Sequence, residues 1–327
     1  MAALSTPAEL APVLEAGGVE LSRLMHRTES RLAEVAEGHG ANLAGHAAGT
    51  LAAGGKRLRP LLVFLCAAQG PPALPAAVAV ELLHMATLVH DDVLDRAELR
   101  RGRPTVFSAG GREVATATGD LLFSRAFAEL TATGSADAVR VLSMASEGLV
   151  RGELMQRADA WSADVTPERY LERCRLKTAT LFEAACRMGA LLGGEPAAAE
   201  ALGRFGERIG LAFQLLDDVL DVSGPPERTG KPRGADLVDG TVTLPLIIAR
   251  TRDPELAELD LRQAAIGPAR AAAVCDHIAT SGALGEVRAE AFHQVAEAKA
   301  ALTGLELADS RRRALNLVAD GVVERHA

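Results

Sequence analysis

Aromatic side chains are scarce in this sequence. They make up 3% of the 327 residues, with one Trp and one Tyr, although 48% of the chain is hydrophobic. A core must therefore be assembled from Ala, Leu and Val, and Ala and Leu are strong helix formers. Long apolar runs are missing as well. The longest, such as Leu61–Ala68, fall short of the roughly 20 residues that a bilayer-spanning helix needs. No basic segment followed by an apolar stretch stands near the N-terminus, so no signal peptide and no transmembrane segment are expected. Alternating apolar and polar runs, the mark of strands, do not occur at useful length.

Positive charge is also in short supply. The formal net charge is −8, and no stretch supplies the basic face a nucleic-acid binder needs. Lys and Arg cluster at Lys56–Arg59 and Arg96–Arg103, beside acidic residues, a pattern that suits a small polyanion better than a polymer. The four cysteines, Cys66, Cys174, Cys186 and Cys275, lack CxxC spacing and sit among apolar or helical neighbours. They read as buried, reduced thiols of a cytoplasmic protein, with no zinc spacing among the His and Cys residues.

What the sequence has in abundance is helix-forming stretches rich in Ala, Leu, Glu and Arg. They are punctuated by Gly54-Gly55, Gly70-Pro71-Pro72, Gly102-Arg103-Pro104, Gly193-Gly194, Gly224-Pro225-Pro226, Asp253-Pro254 and Gly267-Pro268. Thr166-Pro167-Glu168 has the form of a helix start, with Thr as N-cap and Pro in the first turn. No composition shift marks a domain boundary. The expectation is an all-α fold: a single domain over residues 1–327, of roughly ten or more helices given typical helix lengths.

One pattern occurs twice. Asp91-Asp92-Val93-Leu94-Asp95 is matched by Asp217-Asp218-Val219-Leu220-Asp221, each after an apolar stretch. Residues four apart on a helix face the same way, so Asp91 and Asp95 project together, as do Asp217 and Asp221. Three carboxylates in one place repel one another unless a hard cation sits among them. Magnesium prefers oxygen ligands and typically takes one or two carboxylates plus substrate phosphates. A solvated acidic face explains one such cluster as well as a metal does, but explains two identical ones poorly.

Each acidic cluster is trailed by cations: Arg100-Arg101-Gly102-Arg103 after the first and Gly230-Lys231-Pro232 after the second. Gly54-Gly55-Lys56-Arg57-Leu58-Arg59-Pro60 combines a flexible turn with three cations just before an apolar run, a natural anion site at a helix start. It lacks the spacing of a nucleotide P-loop. Acids that hold metals, with metals and cations that hold phosphates, make one consistent picture.

Taken in order, these motifs resemble the trans-isoprenyl diphosphate synthase, or polyprenyl synthetase, family. They are GGKRLRP at 54–60, HDDVLD at 90–95, RRGRPT at 100–105, GD at 119–120, GELMQ at 152–156, KTATLFEAA at 177–185, FQLLDDVLD at 213–221, GK at 230–231 and TLP at 243–245. The resemblance implies an antiparallel helical bundle with a central apolar cavity. It implies that Asp91 and Asp95, with Asp217 opposite, ligate three magnesium ions around an allylic diphosphate, supported by Asp92, Asp218 and Asp221. Arg100, Lys177 and Lys231 would contact that diphosphate, and Thr178 and Gln214 would line the reacting end. Lys56, Arg59, His84 and Arg101 would hold isopentenyl diphosphate. A homodimer is implied too, with a lipophilic product for delivery to a membrane. One departure stands out: many relatives carry Lys or Arg where this chain has Thr241.

The implied reaction is ionisation of the allylic diphosphate, condensation and elimination, and no Ser/His/Asp or Cys/His set points to another chemistry. Two rival readings exist. A class I terpene cyclase has no need of the second DDVLD or of GGKRLRP. A non-catalytic subunit of a heteromeric synthase would be expected to lose aspartates that are all present here. Upstream of Asp91, Ala86, Leu83 and Ala79 fall on one helical stripe at 3.6 residues per turn. In farnesyl-making relatives an aromatic residue closes the pocket about one turn up, and here Ala86 and Thr87 are small. ELLHMATLVHDDVLD also resembles the matching stretch of quinone side-chain synthases. The expected product is longer than farnesyl: geranylgeranyl, or a medium or long polyprenyl diphosphate. Phe123 and Phe127 could close the pocket further down or simply pack the core.

Overall fold

The computed structural model describes residues 10–37, 45, 49–50, 55–100, 102–224, 232–264 and 267–324. These residues are overwhelmingly helical. In chain order they form α1 (Ala11–Glu37), α2 (Leu58–Cys66), α3 (Leu74–Asp95), a two-strand hairpin of β1 (Leu99–Arg100) and β2 (Arg103–Pro104), α4 (Val106–Thr131), α5 (Ala136–Asp159) and α6 (Pro167–Cys174). A π turn (Arg175–Ala179) leads into α7 (Thr180–Leu192) and α8 (Ala199–Ser223). Then come α9 (Ala235–Val238), α10 (Leu244–Arg250), α11 (Pro254–Ala257), α12 (Leu261–Ala264), α13 (Pro268–Thr280), α14 (Ala283–Ala301) and α15 (Asp309–Glu324). The all-α expectation holds. Among the described residues a local difference follows α3: Leu99 pairs antiparallel with Pro104 and Arg100 with Arg103, where only a loop was expected.

Contacts group the chain into two compact units. The first comprises residues 1–146, 181–206 and 301–321, and the second residues 147–180, 207–300 and 322–327.

The first unit is built on α3. This helix is apolar on nearly every side, the pattern of a helix surrounded by others, and every residue from Ala76 to Leu83 is buried. Residues Pro71–Asp95 form a helical stretch long and apolar enough to cross a membrane, unlike the shorter uninterrupted runs visible in sequence, but most of it is buried inside the structure. Two arginines tie this unit together. Arg57 sits in the left-handed region, φ 48°, at the N-cap of α2. Its Nε donates to Glu29 on α1 at 2.6 Å and its Nη1 to Glu81 on α3 at 2.7 Å. Arg311 on α15 donates to the carbonyls of Leu65 and Cys66 at 2.6 and 2.5 Å, satisfying acceptors that the end of α2 would otherwise leave open.

In the second unit, α6 starts as its sequence predicts: the Thr166 hydroxyl accepts from the Arg169 amide at 3.2 Å, with Pro167 in the first turn. Arg173 on α6 is buried, lies 3.7 Å from the Asp159 carboxylate and donates to the Val242 carbonyl at 2.5 Å. Trp161 packs on Gly240 so closely that a Cβ there would lie 2.3 Å from its ring. The segment that carries Thr241 is thereby held by Trp161 and Arg173. All four cysteines are buried and unpaired with one another as disulfides, in line with the sequence reading.

Removing one carboxylate from the Arg57 pair leaves a buried guanidinium half-matched. Glu81→Ala should therefore destabilise the protein by about 3 to 5 kcal/mol in denaturant unfolding. Arg23→Ala, at an exposed pair with Glu20, should produce no measurable change.

Candidate functional site

The first aspartate cluster closes α3. The helix ends because Arg96 turns left-handed, φ 52°, and returns its amide to the Asp92 carbonyl. Asp91 is half-buried and Asp95 exposed, and both stand on one face, four residues apart. Asp92 turns inward. Its Oδ1 lies 2.8 Å from both Nε and Nη2 of Arg100 on β1, so the hairpin is docked onto the cluster by a forked contact. Burial pushes the Asp92 carboxyl up, and Arg100 offsets only part of that rise.

The residue before the cluster explains the GD motif. His90 lies 3.3 Å from Asp120, Nε2 to Oδ1. Its ring passes so near Gly119 on α4 that a Cβ there would be 2.3 Å from Nε2. Glycine lets α4 approach the end of α3, and Asp120 is thereby set beside the imidazole.

The cations of the 54–60 segment part company. Arg57 is committed to Glu29 and Glu81. Arg59 stacks its guanidinium 4.4 Å over the Phe182 ring on α7, and its Nε, shut off from solvent, has no hydrogen-bond partner among the described residues. Burial pulls Arg59 down to about 10, against the opposing effect of Glu81. Lys56 is half-buried beside them. His84, on α3 seven residues before Asp91, is also half-buried.

In the second unit, the π turn carries Lys177 and Thr178. Single π turns inside helical stretches are frequent at functional sites. Lys177 Nζ donates to Glu153 Oε2 at 2.5 Å, and Arg157 donates to Glu153 Oε1 at 2.7 Å. Burial pushes the Glu153 carboxyl up, but the two cations outweigh it and hold it below the ordinary carboxylate range. The Thr178 hydroxyl donates to Gln214 Oε1 at 2.8 Å. Gln214 and the second aspartate cluster lie on α8. Asp217 is half-buried, whereas Asp218 and Asp221 are buried. Asp218 accepts from Gln214 Nε2 at 2.8 Å and from the Tyr170 hydroxyl at 2.6 Å. Burial, with the carboxylates of Asp236 and Asp217 nearby, pushes Asp218 well above the usual carboxylate range despite these donors. Asp221 Oδ2 accepts from the Asp236 amide at 3.3 Å, which ties α9 to α8.

Thus Thr178, Gln214 and Asp218 are joined in one hydrogen-bonded chain, and Arg100 with Asp92 in another contact. Arg101 and Lys231 lie outside the described residues, as do Gly54 and Gly230. Sequence reasoning missed Glu153, Tyr170 and Asp236. Glu153 stood inside the GELMQ motif and could have been paired with Lys177 on charge alone; Tyr170, 48 positions from its partner, gave no such signal.

The donor set suits magnesium: hard carboxylate oxygens two or more to a helix face. Among the described residues no group of three or more His, Cys, Asp or Glu is gathered as a ready metal cage. Magnesium typically takes one or two carboxylates and completes its shell with water and substrate phosphate.

Comparison with known proteins gives concordant matches. The polyprenyl synthetase family model matches residues 42–275. The chain is 40% identical over 270 residues to heptaprenyl diphosphate synthase component 2 of Geobacillus stearothermophilus, covering 80% of this chain and 83% of that one. It is 38% identical over 212 residues to octaprenyl diphosphate synthase of Escherichia coli, covering 63% and 66%. The crystal structure of polyprenyl synthase from Caulobacter crescentus, complexed with calcium and isoprenyl diphosphate, superposes with a TM-score of 0.86 at 36% identity over 98% of each chain.

Gly152 on α5 is where the π turn meets its neighbour: a Cβ there would lie 2.5 Å from the Lys177 amide nitrogen and 2.8 Å from its Cα. Backbone cannot swing aside as a side chain can. Gly152→Ala should cost about 1 to 3 kcal/mol of stability and slow turnover by displacing Lys177. Gly285→Ala, where nothing lies within 4 Å, should leave the melting temperature unchanged or raised.

Proposed function

This chain belongs to the polyprenyl synthetase family and is a prenyltransferase, and we propose that it lengthens an allylic diphosphate with isopentenyl diphosphate in a magnesium-dependent reaction. The observation that carries this reading is Arg59. A guanidinium stacked on Phe182, with a partnerless Nε and a proton affinity lowered by burial, is a cation prepared for an anion that arrives with the substrate.

In this reading Lys56, Arg59, His84 and Arg101 hold isopentenyl diphosphate. Arg100, Lys177 and Lys231 hold the allylic diphosphate. Asp91, Asp95 and Asp217 ligate magnesium, three ions in all, with Asp92, Asp218 and Asp221 in support. When bound, the metal would offset negative charge on the departing diphosphate. Arg100 and Lys177 are already fixed by Asp92 and Glu153. They can meet developing charge without reorganising, which is what makes electrostatic stabilisation effective. The C–O bond of the allylic diphosphate breaks, the double bond of isopentenyl diphosphate attacks the cation, and a proton leaves with the released diphosphate as acceptor. No protein base is required. The Caulobacter relative is complexed with calcium together with isoprenyl diphosphate, which supports a divalent-metal role for the acids of this chain. The chain is taken to work in the cytoplasm as a homodimer and to yield a lipophilic product for membranes.

One observation favours a second reading. The Geobacillus relative is named as a component of its synthase, so this chain could be the catalytic part of a two-chain enzyme. Inactivity of the purified chain, rescued by a partner chain, would favour it.

Losing one charge-assisted contact costs about 1.5 to 3 kcal/mol, roughly 10- to 150-fold in binding. Arg59→Ala should raise KM for isopentenyl diphosphate by that factor and leave KM for the allylic primer nearly unchanged. Equal effects on both substrates would contradict the assignment.

Product length follows from α3. Ala79, Leu83 and Ala86 are all fully buried on it, and each helical turn advances about 5.4 Å, close to one isoprene unit. With no large side chain at Ala86, the proposed product is longer than farnesyl. Phe123 is 37% exposed and its ring lies 5.3 Å from that of half-buried Phe127, so Phe123 is not simply core filler. Ala86→Phe should shorten the product sharply, read by mass, while sparing the first condensation. An unchanged product length would contradict this view of the pocket.

A further inference from the structure

Tyr170 is the only tyrosine of the chain, and it is completely buried. It stands on α6, a short helix held at three points: the Thr166 cap, the 2.6 Å contact of Arg169 with Asp159, and the Arg173 contact with the Val242 carbonyl. The Tyr170 hydroxyl is therefore delivered to a fixed place. It donates to Asp218 Oδ2 at 2.6 Å.

That contact sorts the two oxygens of Asp218. With Oδ2 taken by Tyr170, Oδ1 receives the amide of Gln214 at 2.8 Å. A primary amide has one donor end and one acceptor end. Once its NH2 is turned to Asp218, its oxygen must point the other way, and there it accepts from the Thr178 hydroxyl at 2.8 Å. The order Tyr170–Asp218–Gln214–Thr178 runs in one direction of donation only up to the carboxylate, which accepts from both sides. Asp218 is the hinge of the arrangement, and Tyr170 holds the hinge.

We propose that Tyr170 is a positioning residue for prenyl transfer: through Asp218 it sets the sense of the Gln214 amide, so that Gln214 and Thr178 meet the reacting end of the allylic substrate in one orientation. This rests on the reading that Gln214 and Thr178 line that end. Tyr170 itself touches no substrate. The competing view is that Tyr170 is a core side chain whose hydroxyl merely needed an acceptor.

Tyr170→Phe keeps the ring and removes the hydroxyl. It should lower kcat roughly tenfold, the size of one lost hydrogen bond to a charged group, with KM for isopentenyl diphosphate unchanged. Gln214→Met, close in shape but unable to hydrogen-bond, should also lower kcat. In the double variant Tyr170→Phe should cost less than about twofold beyond Gln214→Met, because coupled residues are not additive. Independent, multiplying losses, or a Tyr170→Phe enzyme as fast as wild type beside a slow Gln214→Met, would overturn the inference alone. A Gln214→Met enzyme at the wild-type rate would overturn the reading beneath it, and the inference with it. A readout without turnover exists because 3-fluorotyrosine supplied during growth labels Tyr170 only. Its 19F resonance should shift in Gln214→Met, and a resonance that does not move would show that no coupling passes through Asp218.

Discussion

A carboxylate taken out of water must be met by cations or hydrogen-bond donors, and the positions of the helices in each unit follow from that requirement. In the first unit Glu81 is buried on α3, so α2 begins where Arg57 can reach it, even at the cost of a left-handed residue. Asp92 is buried at the end of the same helix, and a hairpin forms to bring Arg100 to it. In the second unit Asp218 is buried on α8, and α6 and the π turn supply Tyr170 and, through Gln214, Thr178. Glu153 receives Lys177 by the same logic. Each copy of the motif therefore has a buried second aspartate that organises the structure around it, and in the second copy Asp221 is buried as well. The second acid of DDVLD is Asp92 in one copy and Asp218 in the other, and both are buried.

Much of this could be read from residue types and spacing. Thr166-Pro167 announced α6 because capping is local chemistry. The repeated DDVLD announced paired acidic faces because four-residue spacing fixes what a helix presents. The division of labour inside Lys56-Arg57-Leu58-Arg59 was not legible. The two arginines are two positions apart and chemically identical, and only the left-handed turn at Arg57 sends one to Glu29 and Glu81 and leaves the other on Phe182. Tyr170 and Asp218 are 48 positions apart, so no local pattern could join them. The RRGRPT segment looked like a charged loop because a pair of two-residue strands carries no periodicity.

The same requirement shapes catalysis as proposed. Cations that are paired beforehand with buried or half-buried acids are rigid, and rigid charge stabilises a departing diphosphate better than mobile charge does. Arg59 follows the opposite rule in the proposed reading, where its match would be the incoming isopentenyl diphosphate. The apolar α3 that carries Asp91 at its end also carries Ala86, Leu83 and Ala79 along its length, so in the proposed reading one helix would join the chemistry to the length of the product.

The most direct test is product analysis by mass after purified protein is incubated with magnesium, an allylic diphosphate primer and excess isopentenyl diphosphate, alongside Asp91→Ala and Asp217→Ala. The account predicts a polyprenyl diphosphate longer than farnesyl from the wild type, none when magnesium is chelated, and almost none from either variant while its helical circular dichroism is retained. Near-native turnover by either variant in magnesium would contradict it.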